Sequence, residues 1–148
     1  MKYLLLCFSC LVLLGACGKD ELSVEDQFAL DTKLIEDYLK AKNLTAQKTV
    51  DGIYFIIENE GSVEKPKITS EVTVTYKGYF LDGSVFDSAV KAKFFLYGVI
   101  EGWQIGIPKF GRGGKGMLLI PSKYAYGTRE IDGRTSAVLA FDIEVIDF

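Results

Sequence analysis

The chain predicts an α+β domain: a bent antiparallel sheet wrapped around one short helix, preceded by a separate N-terminal helix. Three observations carry this. Apolar residues recur with helical spacing before Asn43, alternate with a period of two in several stretches from Ile53 onward, and form a short proline-terminated run between Glu101 and Pro108. With 148 residues, 49% of them hydrophobic and 13% aromatic, there is room for one domain with a sizeable core, and global disorder is excluded.

Taken in order, residues 1–16 read as a signal peptide. Lys2 precedes an apolar run from Tyr3 to Ala16, interrupted at Ser9, that is too short for the roughly 20 residues a bilayer requires. Leu14-Gly15-Ala16-Cys17 resembles the bacterial lipobox, in which the cysteine is lipidated and becomes the mature N-terminus. Cleavage there would remove Cys7 and Cys10 and leave the acylated Cys17 as the last cysteine, so no disulfide is expected and the core alone must hold the fold. Each buried methylene of an acyl chain contributes about 0.8 kcal/mol, so a multiply acylated anchor is effectively permanent. Residues 17–22 form the lipidated tether. No aspartate follows Cys17 directly, which favours the outer membrane of the cell envelope. Lys19, Asp20 and Glu21 resemble the acidic surface-export tag of Bacteroidetes lipoproteins and read equally well as a solvated tether.

Residues 23–51 carry the N-terminal helix and a linker. Ser23 with Asp26 is a helix start, because the hydroxyl can accept a free first-turn N–H while the carboxylate sits at the positive end of the helix dipole. A helix is expected from Val24 to Lys42, with Leu30, Leu34, Ile35, Tyr38 and Leu39 as its apolar stripe, facing the domain or a second copy. The main domain spans residues 52–148. Ile53 to Glu58 is a strand, and Val72, Val74 and Tyr76 alternate with polar residues and share an inward face. Asp82-Gly83 predicts a hairpin turn with positive φ at both centres. A short helix begins near Glu101 and ends by Pro108, whose ring cannot enter a helix interior. In the closing strand Leu139, Phe141, Ile143 and Val145 face inward, and Ala140, Asp142 and Glu144 outward.

Composition excludes several function classes. The chain has no histidine, which removes Ser-His-Asp, Cys-His and most zinc chemistries. A net charge of −3 without a basic run offers no electrostatic footprint for nucleic acid.

The stretch Phe94 to Gly127, FFLYGVIEGWQIGIPKFGRGGKGMLLIPSKYAYG, contains the single tryptophan, Trp103, and presents in order F-x-L, V-I-x-G-W, G-x-K, I-P and A-Y-G. Upstream, VTVTYKGYFLDGSVFDS (72–88) presents V-x-V-x-Y-x-G, D-G and F-D-S. This succession resembles the FKBP family of peptidyl-prolyl isomerases over residues 52–148. The resemblance implies an FKBP-like fold and a proline pocket. Trp103 would be its floor, and Phe86, Val99, Ile100 and Phe141, with Phe94, its walls. Tyr126 and the Ile100 backbone N–H would donate to substrate carbonyls, and Tyr76 and Asp87 would shape the rim. Each aromatic alone reads as core packing; together, in this order, they read as a cleft.

Such a pocket needs no cofactor, metal or nucleophile. Rotation about X-Pro faces a barrier of about 18–20 kcal/mol set by amide resonance, and the twisted transition state has lost the charge separation that water stabilises. The chain departs from the family pattern in three places. The loop 128–136 is short and lacks the usual I-P, leaving Ile131 as the candidate wall residue. The segment between Asp87 and Phe94 is short and lacks the arginine that accompanies the aspartate, leaving Lys91 or Lys93 to substitute. Phe110 replaces a methionine behind the helix.

The leading expectation is therefore a lipid-anchored isomerase acting on X-Pro segments of exported polypeptides. The resemblance also suggests a macrolide ligand and a homodimer formed through the N-terminal helix. The alternative is a non-catalytic FKBP-like chaperone or binding module on the cell envelope, which the missing loop proline favours.

Overall fold

A computed structural model describes residues 22–148. The signal peptide, Cys17 and nearly all of the tether fall outside the described residues. Helix α1 (Val24–Ala41) precedes six strands, β1 (Gln47–Lys48), β2 (Tyr54–Asn59), β3 (Glu71–Phe80), β4 (Val85–Phe95), β5 (Lys115–Ile120) and β6 (Leu139–Asp147), with helix α2 (Glu101–Gly106) between β4 and β5. The strands form one antiparallel sheet in the order β1-β2-β5-β6-β3-β4. No helix among the described residues is long and apolar enough to cross a membrane.

The Ser23 cap forms as the sequence predicts, with its hydroxyl oxygen accepting the Asp26 N–H at 3.1 Å. The buried line of α1 differs from the predicted stripe. Asp31, Ile35 and Leu39 are buried, whereas Leu30 and Leu34 are exposed. Residues at i, i+4 and i+8 drift slowly around a helix, so this line follows the contact with the sheet. Ile35 and Leu39 pack with Tyr54, Leu119, Val138 and Ala140. Hence Ala140, expected to face outward, is buried: the outer sheet face is covered by α1 at this point.

The other sheet face holds the main core, including Phe55, Val72, Val74, Phe80, Phe110, Leu118, Ile120, Phe141 and Ile143 around α2. Fully burying one such side chain contributes about 1.5–3 kcal/mol. Helix α2 lies close against β5 because its sheet side is glycine. A Cβ on Gly102 would sit 2.4 Å from Ile120 Cγ2, and one on Gly106 2.6 Å from Leu118 Cδ1. The helix passes into a 3-10 turn at Ile107–Lys109, where Pro108 is tolerated.

At the β3–β4 hairpin only Gly83 has positive φ (91°), so the expected turn with two positive centres is not formed. The Gly83 N–H donates to Phe80 O at 2.8 Å and the Phe80 N–H to Ser84 O at 2.9 Å, a three-residue loop that needs one left-handed position. Asp82 accepts from the Ser84 N–H and hydroxyl instead of entering the left-handed region.

Candidate active site

The candidate pocket residues of the sequence, Ile131 excepted, converge on one cleft of about 480 Å³ beside α2. Strands β3 and β4 build one wall. Simple alternation would send Phe86 and Asp87 to opposite faces, yet both line the cleft. The reason is a register slip: Asp87 pairs with Gly78 and Val85 with Tyr79, leaving Phe86 as an extra residue on the bulged strand. A second slip, where Val74 pairs with Ala92 and Tyr76 with Ala89, brings Phe94 to the same wall. Lys91 occupies that bulge with φ 52°, and its N–H donates to Thr75 Oγ1 at 3.1 Å.

Gly78 makes room for the wall. A Cβ there would lie 2.7 Å from Phe86 Cζ and 2.8 Å from Phe141 Cε1. In its absence the Phe86 and Phe141 rings meet edge to face at 5.6 Å, and Phe86 leans on Phe80 at 5.1 Å. Trp103, 4% exposed, forms the floor. Its ring meets Tyr76, Phe141 and Phe94 edge to face at 5.0, 5.2 and 5.7 Å, an arrangement in which each ring restrains the others. The buried Trp103 Nε1–H has no hydrogen-bond partner among the described residues.

Val99 and Ile100 stand between a 3-10 turn (Leu96–Gly98) and α2. Gln104 Nε2 donates to Val99 O at 2.8 Å, and the Ile100 carbonyl accepts the Trp103 and Gln104 N–H groups as α2 begins. No acceptor for the Ile100 N–H occurs among the described residues, so this donor is available at the cleft. Tyr126 lines the same cleft from the loop after β5, where the Arg129 guanidinium lies 5.3 Å from the Tyr126 ring centre.

The Tyr76 hydroxyl donates to Asp87 Oδ2 at 2.7 Å. Burial, reinforced by that carboxylate, pushes the Tyr76 phenol well above its ordinary range. Tyr76 is therefore the partner of Asp87, and the expected substitution by Lys91 or Lys93 is not made: neither forms an ion pair with Asp87, and Lys93 lies 3.8 Å from Glu71. Phe110, fully buried, belongs to the core.

Ile131 does not line the cleft. Its N–H and carbonyl pair with those of Arg134 at 2.8 and 2.9 Å, closing a tight turn within the short loop, and its half-buried side chain packs on the core. Arg134 ties this loop to the β3–β4 hairpin through Asp82 and Ser84, both at 2.9 Å, and lies 4.1 Å above the Phe80 ring. Sequence reasoning missed Gly98, Ala125 and Arg129 as lining residues. The available signal was position: Gly98 directly precedes V-I-x-G-W, Ala125 is the first residue of A-Y-G, and Arg129 follows it by two. Among the described residues no cluster of three or more carboxylate, thiol or imidazole groups could hold a metal.

This is an aromatic-walled cleft that also carries the polar groups of Tyr76, Asp87, Tyr126 and Arg129, an arrangement able to hold a flat amide against rings that displace its water. A family model described as FKBP-type peptidyl-prolyl cis-trans isomerase matches residues 62–146. Among similar proteins, the FKBP-type peptidyl-prolyl cis-trans isomerase FkpA of Escherichia coli K12 is 33% identical over 90% of this chain and 50% of that protein. The FKBP-type 22 kDa peptidyl-prolyl cis-trans isomerase of the same strain is 33% identical over 78% of this chain and 58% of that protein. The chain thus spans about half the length of the curated relatives it matches. Among solved structures, E. coli FkpA aligns with a TM-score of 0.71 at 32% identity, covering 83% of this chain and 61% of that one. A peptidyl-prolyl cis-trans isomerase from Pseudomonas syringae aligns with a TM-score of 0.71 at 27% identity, covering 85% and 96%.

Proposed function

This chain belongs to the FKBP-type peptidyl-prolyl cis-trans isomerase family, and from that premise we propose that it isomerises X-Pro bonds in exported polypeptides. The observation that carries the proposal is the cleft itself, where Phe86, Phe94 and Phe141 wall a space floored by Trp103. The proline ring rests on Trp103. The planar amide, which water stabilises through its charge separation, loses that solvent among the rings, while the twisted transition state loses less. The Tyr126 hydroxyl and the Ile100 N–H donate to the carbonyls on either side. An acceleration of about 10³–10⁵ requires about 4–7 kcal/mol, within the reach of desolvation and two hydrogen bonds. A protease-coupled or NMR exchange assay on an Ala-Leu-Pro-Phe peptide, using the chain from Lys19, tests this. Isomerisation no faster than in buffer would reject it.

A second reading, a binding module with the cleft but without turnover, is favoured by one observation: the short loop withdraws Ile131 from the cleft. Affinity for prolyl peptides without acceleration would support that reading.

The sequence before α1 supports a lipid anchor on Cys17 in the outer membrane. Mass spectrometry of the membrane fraction tests it, with Cys17→Ser expected to lack acyl mass. Exposure of Leu30 and Leu34 supports a homodimer through α1, to be tested by sedimentation. A macrolide would compete with peptide for the Trp103 floor, which Trp103 fluorescence would report.

A further inference from the structure

The residues on either side of Tyr126 both hang from a single carbonyl. Ser122 O accepts the Ala125 N–H at 3.0 Å and the Gly127 N–H at 2.8 Å, so the residues flanking Tyr126 are fixed relative to Ser122. Ser122 is itself held from outside the sheet. Its N–H (2.7 Å) and its hydroxyl (2.6 Å) both donate to Asp31 Oδ2 in the second turn of α1. The other oxygen of Asp31 accepts Gln27 Nε2 at 2.7 Å. Asp31 is fully buried, and such a carboxylate is tolerated only where donors replace its water, as these three do. Phe28 reinforces the contact, meeting Tyr124 edge to face at 6.0 Å.

Asp31 does not line the cleft, and desolvating a prolyl amide does not use it. Its geometry nonetheless runs without a gap from α1 through Ser122 to both sides of the tyrosine that faces the substrate. We propose that Asp31 and Ser122 are positioning residues for the isomerase reaction, and that α1 through them sets where Tyr126 stands at the cleft mouth. This rests on the isomerase reading given above. Because hydrogen bonds and near-attack geometry degrade steeply with displacement, a shift of about 1 Å in a positioned group can cost up to about 10²-fold in rate. Helix α1 lies before residues 62–146, the part matched by the family model, so the proposal adds to the catalytic unit a segment outside that match.

The test uses the chain from Lys19 in the peptide assay, with folding checked by circular dichroism at the assay temperature. Asp31→Asn keeps the shape but removes the charge, and should lower kcat/KM about tenfold. Ser122→Ala keeps the backbone donor and removes the hydroxyl, and should lower it about threefold; it serves as the second variant if Asp31→Asn is poorly folded. The deciding measurement is a double-mutant cycle with Tyr126→Phe. If Asp31 acts through the Tyr126 hydroxyl, Asp31→Asn should cost less than about twofold once that hydroxyl is gone. Unchanged kcat/KM in folded Asp31→Asn or Ser122→Ala, or an equal loss in both Tyr126 backgrounds, would overturn the positioning role and leave the isomerase reading intact. A wild-type chain without turnover would overturn both.

Discussion

The Tyr76 hydroxyl and Asp87 Oδ2 meet at 2.7 Å across the β3–β4 pair, and the arrangement recurs elsewhere on the sheet. Tyr54 donates to Glu36 at 2.7 Å and Tyr79 to Asp142 at 3.0 Å. In all three, burial first and the carboxylate second raise the phenol above its usual pKa of about 10. A folded-state pKa above the unfolded value contributes stability that is fully present below the unfolded pKa and is lost as pH rises toward the folded one. Urea midpoints should therefore hold level up to about pH 10 with respect to these groups and decline above it. Combining Tyr54→Phe, Tyr76→Phe and Tyr79→Phe should flatten that decline. An alkaline limb unchanged in the triple variant would contradict the assignment.

Turnover should not depend on pH between about 6 and 8. The chain has no histidine, Tyr76 is shifted away from neutrality, and desolvation of an amide involves no proton transfer. The measurement is kcat/KM on a peptide without ionisable side chains. A bell-shaped profile centred near neutrality would point to acid-base chemistry, with Asp87 the first residue to replace.

Phe86→Ala should lower kcat/KM by about 10²-fold, equivalent to about 2.7 kcal/mol, while the domain stays folded. The ring is half-buried, so its loss opens the wall to water and should cost about 1–2 kcal/mol of stability. Trp103→Leu should show the reverse balance. It keeps an apolar floor but dissolves three edge-to-face contacts in the core, at a stability cost of about 2–4 kcal/mol. Denaturation curves and kinetics on the same samples check both.

Gly78→Ala should reduce activity by about tenfold or more and stability by about 1–3 kcal/mol. The added Cβ lies too close to both Phe86 and Phe141 for either ring to keep its place. Wild-type kinetics in this variant would show that the two rings can move without consequence.

The elements that rest on local pattern were legible in the chain. The Ser23 cap, the alternation through Val72, Val74 and Tyr76, and the short helix ended by Pro108 each follow from neighbouring residues, because capping, pleating and proline sterics act over a few positions. The motif order also picked out most of the cleft residues, missing Gly98, Ala125 and Arg129 and adding Ile131, which does not line the cleft. Tertiary structure alone decided the rest. Phe86 and Asp87 share the cleft because β4 carries an extra residue against β3, and a bulge is a property of the pair of strands. Ala140 is buried because α1 lies over it. Asp31 lies outside the stripe the sequence predicts, and nothing in its neighbours marks it as interior. It becomes an interior group only because Ser122, 91 residues further along, supplies the donors that replace its water. Burial of a charge depends on a partner that folding brings from elsewhere in the chain, and no local window contains it.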